Sequence, residues 1–347
     1  MDLLRQTKNV HTFPFEIVNV DPQLNTELLQ YFKGERTGFV QVGPEKYFFP
    51  HKYKFEAENF YNFSSRPDDI WVATVPRSGT TWTQELVWLL ANHLDFDTAK
   101  REPLTERFPF FEFSLFVHPE VKAEFLAENA GDSKKQEFIE NFSRPGYNSL
   151  AEWPCNKRRF IKTHFPFSLL PPSVMQNNCK LIYVLRAPND VAVSYYHLNR
   201  LYRTQGYIGD FQRYWNYFSR GLNPWLPYYS HIKEAFEHRH LSNVLILNYE
   251  DLVSDLSGVI LKIAAFLNRS IGAEDLKTLI QHLDIKNFRE NPAVNGSEMA
   301  EVGVLLKGEA GFVRKGGNGG REELINDTAL KNYVDQWIHE NVTKMLK

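Results

Sequence analysis

The segment Pro76-Arg77-Ser78-Gly79-Thr80-Thr81 gathers residue types suited to holding a phosphate. It follows Ile70-Trp71-Val72-Ala73-Thr74-Val75, a short apolar run rich in β-formers. After it, from Trp82 to Leu90, apolar side chains repeat at helical spacing. The order is strand, tight loop, helix. A loop entering a helix presents unpaired backbone N–H groups and the positive end of the helix dipole. Gly79 lets the backbone approach a ligand, while Ser78, Thr80 and Thr81 add hydroxyls and Arg77 adds charge. The loop is P-loop-like but lacks the G-x-x-x-x-G-K-[ST] pattern of ATPases. Thr74 stands where the first glycine belongs and Thr80 where the lysine belongs. The plainer alternative for these residues is an ordinary capped helix.

Three further segments carry chemistry. Arg186 ends the apolar run Lys180–Leu185, and Ser194 lies early in the helix that follows Pro188-Asn189-Asp190. Arginine suits bidentate phosphate recognition, and a serine nearby adds a hydroxyl contact; in isolation Arg186 reads equally as an ion-pairing residue. Phe312-Val313-Arg314-Lys315-Gly316-Gly317-Asn318-Gly319-Gly320 sets two cations beside glycines, which suits a loop closing on an anion or a solvated turn. Lys162-Thr163-His164 ends the strand-like run that starts at Arg159. Alternate residues of a strand share a face, so Lys162 and His164 project together. A cation beside an imidazole keeps it neutral, as a general base near pH 7 requires, although a lone histidine is more often structural.

The elements that must position these residues follow one grammar. Runs at 70–75, 159–163, 180–185 and 243–249 read as strands, and helical patterns follow several of them. Near-continuous apolar strands alternating with helices imply a parallel sheet covered on both faces. The expected fold class is therefore α/β: a single domain with a central, mostly parallel sheet flanked by helices. Residues 1–65, broken by Pro14, Pro22, Pro44 and Pro50, read as an N-terminal lead-in packed on a core formed by 66–347. The run Phe108 to Phe116 reads as core packing or as the wall of an apolar pocket.

Composition limits the rest. The chain has 347 residues, 43% of them hydrophobic and 24% charged, which excludes disorder and low-complexity classes. A formal charge of −2 argues against a general polyanion binder, so any anion site is local. Two cysteines, Cys155 and Cys179, supply neither a disulfide framework nor a zinc site of usual ligand count. No apolar run is long enough to span a membrane, and the first residues lack a signal-peptide core, so a cytoplasmic location is expected.

Taken in order, Thr74 to Trp82, Lys162-Thr163-His164-Phe165-Pro166, Arg186 to Tyr196, Tyr249-Glu250-Asp251 and Arg314-Lys315-Gly316 resemble the cytosolic sulfotransferase family. The resemblance spans about residues 66–325. The lead-in and Arg77 place it with the insect-type branch, which includes retinol dehydratase-like members. It implies transfer of a sulfuryl group from 3′-phosphoadenosine 5′-phosphosulfate (PAPS) to a hydroxyl or amine, leaving adenosine 3′,5′-bisphosphate (PAP), without a metal. By position, Arg77, Ser78, Gly79, Thr80, Thr81 and Trp82 would bind the 5′-phosphosulfate. Arg186, Ser194, Arg314, Lys315 and Gly316 would hold the 3′-phosphate. Trp82 and Tyr249 would flank the adenine, with Ile285 and Phe288 lining the same pocket. His164 matches the catalytic base, with Lys162 and Arg77 as the cations beside it. The partner is a small apolar phenol, alcohol or amine rather than nucleic acid or membrane.

Three positions depart from the family pattern. Arg77 replaces the usual lysine, keeping charge but not ready proton donation. Gly320-Arg321 fills a stretch that usually holds a tryptophan. The family's dimer motif aligns with Glu322, Asn326-Asp327 and Lys331 with its end charges reversed, so a homodimer of the usual kind is not implied. The alternatives to sulfation are a PAPS- or PAP-binding scaffold with impaired turnover, and net dehydration of an alcohol through a sulfated intermediate.

Overall fold

A computed structural model describes residues 11–306, 311–313, 324 and 327–345. Two sheets organise it. The first is antiparallel and three-stranded: β1 (Ile17–Asn19), β2 (Phe39–Val42) and β3 (Tyr47–Pro50), in that order. The second is parallel and four-stranded: β4 (Ile70–Thr74), β5 (Phe160–Thr163), β6 (Lys180–Leu185) and β7 (Val244–Asn248), in the order β5-β4-β6-β7. All three of its ladders are parallel, as the apolar runs imply. Every residue of central β4 is buried, because helices cover both faces.

The prolines of the lead-in do not keep it irregular. Pro22 opens the helix Pro22–Tyr31, where its missing N–H costs nothing, and Asp21 caps that helix through the amides of Gln23 and Leu24. Pro50 ends β3. Phe39, Val40, Tyr47, Phe48 and Phe49 pack into the same apolar cluster as Trp71, Ile161 and Tyr183 of the parallel sheet. The lead-in and the central sheet thus share core side chains.

At the end of β4 the chain turns into the helix Thr80–Ala91, which begins two residues before the apolar periodicity does. Phe108–Phe116 splits its roles. Phe111 and Phe116 are buried in the core, whereas Phe110 and Phe113 face a cavity that the buried Phe108 also lines. Phe111 N donates to Lys162 O and Lys162 N to Pro109 O, so this run lies along the free edge of β5.

Candidate active site

The phosphate-type loop is held in a backbone shape that few residues adopt. Arg77 has φ +70° and Gly79 has φ +91°. For a non-glycine residue the left-handed region carries strain of order 1–3 kcal/mol, tolerated where surrounding contacts fix it. Those contacts are visible: Arg77 Nε donates to Ser194 Oγ at 2.9 Å and Nη2 to Phe312 O at 3.2 Å. The Arg77 backbone carbonyl accepts from Arg186 Nη1 at 2.8 Å. The Arg186 guanidinium stacks 4.2 Å from the Tyr249 ring centre, and Tyr249 in turn meets Trp82 edge to face at 6.3 Å.

Three segments distant in sequence therefore converge on the 77–82 loop: 186–194, 249 and 312. Phe288 is buried in the same apolar cluster as Tyr249 and Trp82, while Ile285 sits at the exposed start of the neighbouring helix Ile285–Glu290. Trp82 Nε1 is committed to Leu283 O at 2.9 Å. Arg314, Lys315 and Gly316 lie outside the described residues, as do Glu322 and Asn326. Lys331 pairs with Asp335 one helical turn on, at 2.6 Å.

Two polar atoms at the loop suit an incoming ligand. Ser78 Oγ and Arg186 Nε are buried with no partner among the described residues. The helix Thr80–Ala91 starts at Gly79 without a side-chain cap. Buried donors without acceptors cost roughly 1–3 kcal/mol each, so an anion that accepts from them gains affinity. Gly79 completes the cradle: a Cβ there would lie 2.7 Å from Tyr249 Cδ2. Gly79→Ala should therefore push Tyr249 and the stacked Arg186 aside, besides straining the backbone by about 1–2 kcal/mol. The expected result is at least about tenfold weaker PAP binding by calorimetry; unchanged affinity would contradict this cradle.

Beside the loop, at the end of β5, stands His164. Its Nδ1 is 2.8 Å from Thr74 O, a carbonyl that only accepts, so Nδ1 carries the proton and Nε2 offers a lone pair. Thr74 Oγ1 also approaches Nδ1 at 3.1 Å and shares a proton with Thr80 Oγ1 at 2.7 Å. The imidazole is flanked at 5.0 Å by Phe110 and by Trp225. Burial, the adjacent Lys162 charge and then His231 and Arg77 hold its pKa well below the usual histidine range, against the pull of the Thr74 bond. It is neutral at physiological pH.

Lys162 does project to the same side as His164. Both line a cavity of about 480 Å³ with Phe110, Phe113, Phe138, Phe142, Tyr202, Trp225 and Met299. The Lys162 ammonium lies 4.2 Å from the Phe110 ring centre. Burial lowers its pKa to about 8; Glu112 opposes that fall and Arg77 adds to it.

Residue type and spacing do not single out Glu112, Trp225 or Phe312. Glu112 is the one charge inside the run Phe108–Phe116, and that isolation is the signal the sequence offers. It is fully buried and accepts from Thr163 Oγ1, His164 N and Trp225 Nε1. Behind His164, His231 donates Nε2–H to His164 O at 2.9 Å and takes the Tyr183 hydroxyl on Nδ1 at 2.7 Å.

His231 makes the fold sensitive to acid. Burial pushes its pKa down to about 4. In the unfolded chain the imidazole takes a proton near pH 6.5, whereas the folded chain resists until about 4. Stability is thus full above pH 6.5 and is lost as pH falls toward 4, by roughly 3 kcal/mol from this group. His164 acts in the same direction. Thermal unfolding between pH 7 and 4 should show this slope, and His231→Gln should flatten it; equal slopes in both proteins would refute the assignment.

A sulfotransferase domain model matches residues 67–346. The chain belongs to the sulfotransferase family. This sulfotransferase is 36% identical over 311 residues to luciferin sulfotransferase of Photinus pyralis, covering 88% of this chain and 80% of that protein. It is 32% identical to sulfotransferase 1B1 of Canis lupus familiaris, over 75% of this chain and 78% of the relative. Among solved structures it is similar to retinol dehydratase in complex with androsterone and the inactive cofactor PAP. That match has 37% identity and a TM-score of 0.88, covering 96% of this chain and 97% of the other. Retinol dehydratase with retinol and PAP superposes equally well. Among the described residues of this sulfotransferase, no group of histidine, cysteine, aspartate and glutamate side chains is arranged to hold a metal. No described helix is long and apolar enough to cross a membrane.

Proposed function

We propose that this protein transfers the sulfuryl group of PAPS to a hydroxyl, or an amine, of a small apolar acceptor, with His164 as general base. The observation that carries this reading is the lone pair of His164 Nε2: its ring lines an aromatic cavity whose wall includes Pro76 and Thr81 of the phosphate-type loop. PAPS supplies a sulfuryl group on a good leaving phosphate. Arg77, Ser78, Thr80 and Thr81 hold its 5′ end against the start of the helix. Arg186 and Ser194 take the 3′-phosphate together with Arg314, Lys315 and Gly316, and Trp82, Tyr249 and Phe288 border the adenine. Solved relatives that bind PAP support this donor.

Each side chain then has one task. The acceptor hydroxyl proton moves to His164 Nε2 while the acceptor oxygen bonds to sulfur and the bond from sulfur to the bridging phosphate oxygen breaks. Lys162 and the loop amides stabilise the negative charge that gathers on the departing phosphate. Arg77 contributes charge from its position on Ser194 and supplies no proton. The aromatic walls select apolar acceptors and exclude water.

Labelled sulfate should pass from PAPS to simple phenols or apolar alcohols, and PAP should raise the melting temperature where ATP does not. A ligand at 100 times its dissociation constant adds about 2.7 kcal/mol. Stabilisation by PAP with no transfer to a broad acceptor panel would favour a binding scaffold instead. The similarity to retinol dehydratase favours a second outcome for allylic alcohols, net dehydration through a sulfated intermediate. Product mass separates the two, as gain of sulfate or loss of water.

A further inference from the structure

The carboxyl of Glu112 has no part in the steps above, yet it is the hub on which the acceptor side of the site is built. Its relative exposure is 0%, and it precedes the short 3-10 helix Phe113–Phe116 inside the phenylalanine run. Oε2 accepts from Thr163 Oγ1 at 2.9 Å, and Oε1 accepts from His164 N at 2.6 Å and Trp225 Nε1 at 3.0 Å. All three partners are donors, which is the bonding set of an ionised carboxylate. Burying such a charge is tolerated only with hydrogen bonds and a counter-charge. The cation that favours the ionised form is Lys162, next to the two strand residues that Glu112 grips.

Resting on the sulfuryl-transfer reading above, we propose that Glu112 is the positioning residue of this site. Its carboxylate locks the base strand and the Trp225 wall in one arrangement and keeps Lys162 charged inside an apolar cavity. Through His164 N it sets where the imidazole stands, and through Trp225 Nε1 it sets the ring that faces that imidazole. Trp225 itself has φ +65°, so its backbone is held rather than relaxed.

The charged and titratable groups facing this pair are few. Lys162 is faced by Glu112, Arg77 and His164; Glu112 is faced by Lys162 and by the phenol of Tyr53; His164 is also faced by His231. Of these, Glu112 alone favours the ammonium form of Lys162. Burial raises Glu112 and lowers Lys162, and the charge of each opposes the shift of the other. Removing the carboxylate drops the lysine further, by about one pH unit.

The experiment titrates Lys162 in the full chain by its rate of acetylation with acetic anhydride, followed by mass spectrometry across pH 6–10. Glu112→Gln should lower the Lys162 midpoint by about one unit and reduce kcat by about a hundredfold, while PAP still raises the melting temperature. Glu112→Asp, which keeps the charge on a shorter arm, should leave the midpoint near that of the parent and recover only part of the rate. A glutamate that merely fills space would let Gln leave the midpoint in place; that result, or equal midpoints for Gln and Asp, overturns the proposal. Should the Gln variant fail to fold, the Asp variant decides alone, and a midpoint displaced by a full unit counts against the proposal. Acetylation needs no turnover, so a parent protein that transfers no sulfuryl group would sink the function proposed above and leave the charge coupling of Glu112 to Lys162 still measurable.

Discussion

His164→Ala is expected to lower sulfuryl transfer by roughly 10²- to 10⁴-fold while PAP affinity stays near that of the parent. The imidazole has its tautomer set by Thr74 O, and among the described residues neither Arg186 nor Ser194 bonds to it, so its loss touches the acceptor proton and little of the donor site. Stability should fall by only about 1 kcal/mol, the cost of leaving the Thr74 carbonyl without its donor. The pH profile of kcat/KM adds an independent check. Because His164 stays neutral far below pH 6.5, no acid limb should appear near that value. Activity should instead decline as pH rises past about 8, where Lys162 loses its proton. Steady-state rates and PAP calorimetry on the parent and the variant test all of this; a variant within a few fold of the parent rate would remove His164 from catalysis.

Arg186→Ala carries the second large effect, on recognition of the donor. The guanidinium is fixed from two sides, by the Arg77 carbonyl and by the Tyr249 ring, and its Nε still has no acceptor among the described residues. Removing one partner of a buried, hydrogen-bonded charge pair costs about 2–5 kcal/mol, roughly 30- to 4,000-fold in Kd. The parent should bind PAP much more tightly than adenosine 5′-monophosphate, which lacks the 3′-phosphate. In the variant that preference should shrink toward parity, because the loss falls on the 3′ end. Calorimetry with both nucleotides measures it. An undiminished preference would mean that the 3′-phosphate is read elsewhere.

The order strand, loop, helix at 70–90 and the parallel arrangement of the apolar runs are legible from the residues, because both rest on local periodicity and on short-range rules for β-α-β units. Strand ends shift by a residue or so, and the helix starts at Thr80 rather than at Trp82, since capping geometry overrides the apolar pattern at a helix entrance. The lead-in is harder to read. Its prolines suggest interruption, but two of them sit at element boundaries where they fit, and a three-stranded antiparallel sheet forms around them.

What the chain's chemistry alone determined is therefore the inventory: a loop of residue types suited to an anion, a lysine and histidine on one strand face, an arginine and serine on the next crossover, and a phenylalanine-rich wall. Tertiary structure decided the partnerships. Glu112 reaches His164 across 52 positions, Trp225 reaches Glu112 across 113, and Arg77 reaches Ser194 across 117. No periodicity spans such distances; those contacts exist only because β4, β5 and β6 lie side by side and bring their C-terminal ends to one rim. The protonation states follow the same division. Residue type supplies the titratable group, whereas burial and neighbouring charge, which arise only on folding, keep His164 neutral and bring the pKa of Lys162 down to about 8.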